Sequence, residues 1–185
     1  AFVMIHEAWG VAIGPADGVE GPVMLQRADI AMYRAKAAGR GQVRRFSTAM
    51  AAARIDQRHL ESDVRQALDQ GALHFAFQPK FRLSDLSFSG CEALVRWNHR
   101  TRGAVPPGVF VPAAERAGLS VRLARATLEM SLRQQQAWRE AGLDIAVAVN
   151  LSARHIVSGQ APALLREALA ATGCSADRIE IEVTE

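Results

Sequence analysis

Apolar positions along this chain recur with two different periods, and one change between them falls at Gly71. On the N-terminal side, residues Val3 to Ile13 read as a strand, closed by the turn-rich stretch GPADGVEGP. A helix follows through VMLQRADIAMYRAKAAGRG, with Gly39 and Gly41 as natural stop signals. The next stretch, RFSTAMAAARIDQRHLESDVRQALDQG, holds neither proline nor internal glycine, and Leu60, Val64 and Leu68 recur at i, i+4 and i+8. That spacing lines one face of an amphipathic connecting helix ending at Gly71. A domain boundary is expected inside it near residue 55, which divides the chain into residues 1–55 and 56–185.

Beyond Gly71 the period shortens to two. In LHFAFQP, Leu73, Phe75 and Phe77 alternate with His74, Ala76 and Gln78, the mark of a half-buried strand. The interval from Lys80 to Ser87 is too short for a helical crossover. The strand over 87–97 should therefore return antiparallel as a hairpin. PPGVFVPAAERAG and SVRLARATLEMSLRQQQAWREAG read as helices, DIAVAVN as a strand, APALLREALAATG as a helix and RIEIEVTE as a strand. Strands alternating with helices predict an α/β fold with a mostly parallel sheet or barrel. No internal repeat or low-complexity tract interrupts it.

Composition narrows the picture only a little. The 185 residues are 49% hydrophobic and 22% charged, ordinary for a globular protein with a real core. A net charge of +3 with a pI near 9.4 suits a small anionic ligand, and the absence of a basic stripe argues against duplex nucleic acid. The two cysteines, Cys91 and Cys174, have no ligand-like spacing, so both read as structural thiols in a reduced, cytoplasmic setting. No apolar run approaches the ~20 residues a membrane span needs. The chain begins without Met and stops inside a strand-like run, so it is expected to be an excerpt of a longer protein, which upstream segments could tether to a membrane.

The candidate chemistry starts from GCEALVRWNH. On a strand Glu92, Leu94 and Arg96 share one face, yet the Glu92 and Arg96 backbones stand about 13 Å apart, too far for a ready ion pair. Each needs another partner. The run DIAVAVNLS finishes in Asn150, and RIEIEVTE carries Glu180 and Glu182 on one face. Polar groups at the C-terminal ends of barrel strands build active sites. Glu92, Asn150 and Glu182 are all oxygen donors, suited to a hard cation such as Mg²⁺ or Mn²⁺. Asn150 equally suits capping a following turn, and Glu180 a pairing at the sheet rim.

Taken together, FQPKFRLSDLSFSGCEALVRWNHRTRGAVPPGVFVPAAERAGLS, VNLSARH and IEIEVTE resemble the EAL-domain family of cyclic di-GMP phosphodiesterases. Glu92-Ala93-Leu94 is the signature triplet, and Gln78-Pro79, Arg96-Trp97, FVPAAERAGL, Asn150-Leu151-Ser152 and Glu182-Val183-Thr184-Glu185 follow in the family's order. The likeness covers about residues 58 to 185. Lys80 departs from it, standing where an apolar residue is usual, as do Arg100 and Ser120. The resemblance implies a partial TIM-like (β/α) barrel with an antiparallel first hairpin. It casts Glu92, Asn150 and Glu182 as ligands of Mg²⁺ or Mn²⁺, Arg96 as a phosphate-binding residue, and Gln78 and Leu94 as lining of the dinucleotide pocket. Glu92, Glu182 and Glu185 would then be catalytic, Glu185 as the anchor of the next catalytic loop. The implied reaction is metal-dependent hydrolysis of cyclic di-GMP to linear pGpG, by a parent protein that dimerises through this domain. The alternative is a catalytically inactive cyclic di-GMP receptor or dimerisation module. Further catalytic residues are expected beyond Glu185, so the excerpt alone is expected to be inactive and poorly soluble.

The N-terminal part resembles the tail of a GGDEF domain, the diguanylate cyclase fold, through WGVAIGPADG and RADIAMYRAKAAGRGQVRRF. That resemblance implies an α/β remnant in which Lys36 and Arg40 touch nucleotide phosphates. Their i, i+4 spacing would put both on one helix face.

Overall fold

The computed structural model describes residues 8–184, with side chains for residues 8–183. The chain divides into two compact units, Ala1–Leu60 and Glu61–Glu185. The division falls within one helix, α2 (Thr48–Gln70), somewhat beyond the boundary expected near residue 55.

In the first unit, strand β1 (Trp9–Val11) pairs parallel with β2 (Val43–Arg45), and α1 (Gly21–Ala37) forms the crossover between them. Ile30 and Ala31 of α1 bury against Phe46, which follows β2. The strand expected over Val3 to Ile13 is shorter than its apolar run. It ends at Val11, and the chain then turns, with the Ile13 amide donating to the Asp17 carboxylate at 2.8 Å. The residues from Val3 to Glu7 lie outside the described residues. A second correction concerns α1, which stops at Ala37. Gly39, Arg40 and Gly41 all take positive φ (102°, 59° and 60°). Arg40 has therefore left the helix and shares no helical face with Lys36.

The second unit is built on one mixed sheet. Strand β3 (Leu73–Phe81) and β4 (Phe88–His99) form the expected antiparallel hairpin, with Gln78 opposite Glu92. A short β5 (Gly103–Val105) adds antiparallel to β4, while β6 (Val147–Ser152) and β7 (Ile179–Thr184) add in parallel. The order is β3-β4-β6-β7, with β5 off the path. The sheet is thus evenly mixed rather than mostly parallel, because β3 and β5 each reach β4 through connections too short for a crossover. The path does not close on itself among the described residues. Helices α3 (Pro107–Arg116), α4 (Ser120–Glu140), α5 (Ala153–Val157) and α6 (Ala161–Thr172) complete the unit. Among the described residues no helix is long and apolar enough to cross a membrane.

Alternation decides which face of this sheet is packed. Cys91, Ala93, Val147, Val149 and Leu151 point one way and bury against Leu128 and Leu132 of α4 and Leu164 and Ala168 of α6. Phe75, Phe77, Ile179 and Ile181 extend the same surface, and Phe77 meets the Trp138 ring edge-on at 4.8 Å. Trp97 packs on Phe110, which is fully buried. The last turns of α2 are tied on by exposed ion pairs, Glu61–Arg116 at 3.1 Å and Asp69–Arg122 at 2.6 Å. Such pairs contribute about 0–1 kcal/mol each, so the apolar face carries the fold.

One backbone position sets the approach of β4 to β6. Gly90 sits at φ +147°, and a Cβ there would stand 2.6 Å from the Ala146 carbonyl oxygen. That same oxygen accepts the Cys91 amide at 2.9 Å, the bond that begins the parallel register. A Gly90→Ala variant is expected to lose about 2–4 kcal/mol of stability from clash and backbone strain together. Urea unfolding followed by circular dichroism checks it, and an unchanged midpoint would show that the strands approach differently.

Candidate functional site

Residues opposite one another in a sheet share a face, so the registers define the second surface without further assumption. Gln78 lies opposite Glu92 and Lys80 opposite Gly90 across the hairpin, Glu92 beside Ala148, Ala148 beside Glu180, and Asn150 beside Glu182. Leu94 and Arg96 continue this face along β4. Three strands that are neighbours in space, β4, β6 and β7, thereby bring Glu92, Asn150 and Glu182 together, although the outer two are far apart in sequence. The Asn150 amide donates to Glu92 Oε1 at 2.5 Å.

Lys80 completes the charge pattern. Its ammonium pairs with Glu180 and stands 3.4 Å from Glu182 Oε1. Partial burial works against the charged ammonium, but hydrogen bonding and the charges of the two glutamates outweigh it, and the Lys80 pKa is raised above its ordinary value. The side chains are 28%, 52% and 41% exposed for Lys80, Glu180 and Glu182, so solvent screens the pairing. The rim pairing expected of Glu180 is this contact. Lys80 was not among the candidate site residues. The signal that could have found it is its two-residue spacing from Gln78, which puts both on one face.

Arg96 does not turn toward Glu92. Its guanidinium donates to the Val95 carbonyl at 3.0 Å. With Leu94, Asn150 and Ser152 it lines a cavity of about 460 Å³ roofed by Pro107, Val111 and Glu115 of α3. His155 on α5 also faces this space; it is 4% exposed and neither ring nitrogen has a hydrogen-bond partner among the described residues. Gln78, Glu92 and Glu182 are not part of that cavity's wall, and Glu185 lies outside the described residues.

Among the described residues no three or more His, Cys, Asp or Glu cluster as a metal site. The donor set is two carboxylates with an amide between them, all hard oxygen donors once the Asn150 amide turns its oxygen inward. A positive charge, the Lys80 ammonium, already sits against one of the carboxylates. The chemistry of the set fits a hard divalent cation.

The profile of the EAL domain matches residues 61–185, and the chain belongs to this family. The bifunctional diguanylate cyclase/cyclic di-GMP phosphodiesterase MucR of Pseudomonas aeruginosa is 36% identical over 184 residues, covering 99% of this chain and 27% of that protein. The cyclic di-GMP phosphodiesterase PdeR of Escherichia coli is 35% identical over 176 residues, covering 95% and 26%. The chain thus spans about a quarter of the length of these curated relatives. A solved structure of the PaMucR phosphodiesterase in complex with c-di-GMP superposes with a TM-score of 0.63 at 36% identity, over 69% of this chain and 52% of that one.

Cys91 adjoins Glu92 in sequence but occupies the packed face, where burial pushes its thiol pKa up despite the nearby Lys80 charge. Cys174 is only partly buried. Iodoacetamide at pH 8 is therefore expected to modify Cys174 and spare Cys91 until denaturant is added. Equal rates by peptide mass spectrometry would mean that this face opens in solution.

Proposed function

We propose that the C-terminal unit is the first part of a (β/α) barrel that hydrolyses cyclic di-GMP to linear pGpG with Mg²⁺ or Mn²⁺. The observation that carries this reading is the gathering of Glu92, Asn150 and Glu182 on three adjacent strands beside an arginine-lined cavity. The phosphodiesterase names of the relatives support the same reaction and substrate. Glu92, Asn150 and Glu182 would hold the cation. When bound, it would supply activation of water and stabilisation of charge at phosphorus. Arg96 offers a planar fork to a phosphate of the dinucleotide, and Leu94 gives its base an apolar wall. Gln78, across from Glu92, contributes a hydrogen-bonding edge from the hairpin. Glu185 follows β7 and would anchor the loop beyond it. Residues 1–60 would be the end of a GGDEF domain, a reading supported by the near-complete alignment with a bifunctional relative.

Incubation of the full-length parent protein with cyclic di-GMP and Mg²⁺, followed by nucleotide chromatography, tests the activity. Linear pGpG is the expected product, and Glu92→Gln should lower its formation about 100-fold. A protein that binds the dinucleotide and releases no product is instead a receptor. Arg96→Ala should weaken dinucleotide binding about 10- to 100-fold, the cost of a lost charge-assisted contact, measured by calorimetry without metal. Unchanged affinity would remove Arg96 from the binding site.

A further inference from the structure

Lys80 belongs to β3, yet its partners Glu180 and Glu182 stand on β7, at the other end of the order β3-β4-β6-β7. Three strand spacings amount to about 14 Å on a flat sheet, so the pairing needs long side chains reaching from both ends. Small residues on the strands between ease that reach, although Glu92 of β4 shares the face. Lys80 lies in register with Gly90, which has no side chain, and Ala148 occupies β6 beside Glu180. A larger residue at either place would stand in the way of the ammonium.

The two contacts of Lys80 are unequal. Glu180 is the tight one, and Glu182 is held more loosely at 3.4 Å. Glu180 neighbours Ala148 rather than Asn150, so it stands apart from the donor set while Glu182 belongs to it. A lysine on a flexible four-carbon stem can give up the looser partner and keep the tighter one.

We propose, resting on Glu182 as a cation ligand, that Lys80 is the resident counter-charge of this site, withdrawing onto Glu180 when a divalent cation takes Glu182. Without the cation it bridges two carboxylates that would otherwise repel one another and offsets part of their charge. With the cation it is a competing positive charge, and Glu180 is the place it withdraws to. Lys80 is thus a positioning residue that sets how tightly the site holds its metal, and Glu180 acts on the metal only through Lys80.

Mn²⁺ titration of the chain by calorimetry, with electron paramagnetic resonance of the bound ion, tests this. Lys80→Met and Lys80→Gln should each bind Mn²⁺ about 10-fold more tightly, because a competing charge is gone. Glu180→Gln should bind more weakly, because Lys80 then rests on Glu182 alone. That loss should vanish in the Lys80→Met background, as a double-mutant cycle requires of a residue acting through another. Unchanged or weaker Mn²⁺ binding in both Lys80 variants overturns the proposal and leaves Lys80 a strut between β3 and β7, whose removal lowers the melting temperature alone. Glu182→Gln separates the two levels. Weaker Mn²⁺ binding there, with no gain in the Lys80 variants, fails the counter-charge role alone. Unchanged binding in Glu182→Gln fails the site reading, and the counter-charge role with it.

Discussion

The parallel register between β4 and β6 is the constraint on which the rest of the C-terminal unit depends. Cys91 aligns with Val147, Glu92 with Ala148 and Ala93 with Val149. A slip of one residue would turn Cys91 and Ala93 away from α4 and α6 and drive Glu92 into the core, because side chains alternate with a period of two. Gly90 holds the register at its start, where only a residue without a Cβ lets the Ala146 carbonyl come so close. The glycine that opens GCEALVRWNH thus matters to the site as much as the glutamate two residues later.

The two faces divide the work. The packed face is continuous from Phe75 through Val149 to Ile181 and buries against α4 and α6, which accounts for most of the stability. The other face is free to hold groups a core would reject. Glutamates and a lysine stand there partly exposed, with Lys80 offsetting part of their negative charge and with Asn150 satisfying one oxygen of Glu92. Such a surface contributes little to folding and keeps its carboxylates available, the condition a cation-holding site requires. The cavity beside it is walled by residues of both kinds, since it opens at the strand ends where β4 and β6 meet α3 and α5. There Arg96 reaches a space shaped by apolar helix residues.

Most long elements of this fold were legible from period alone. The hairpin, the helices that became α2, α3, α4 and α6, and the strands at Val147 and Ile179 all present several repeats of their pattern. Elements of three to five residues present fewer than two repeats, and β2, β5 and α5 went unread for that reason. Arg40 shows the other limit. Helical spacing pairs it with Lys36, but three successive positive φ values end that helix first, and termination is set by local backbone geometry.

For the site, the residue types and their order already named Glu92, Asn150 and Glu182 as donors that belong together, and alternation put Glu92, Leu94 and Arg96 on one side of their strand. What alternation could not supply is which strands become neighbours. Glu92 meets Asn150, and Lys80 meets Glu180 across a separation of 100 residues, only because β6 inserts between β4 and β7 and the hairpin adds β3 at the far edge. Periodicity is a local property of the chain and assigns each side chain a face. Adjacency between strands is decided by how helices α4 and α6 cover the sheet, and that belongs to the folded core as a whole.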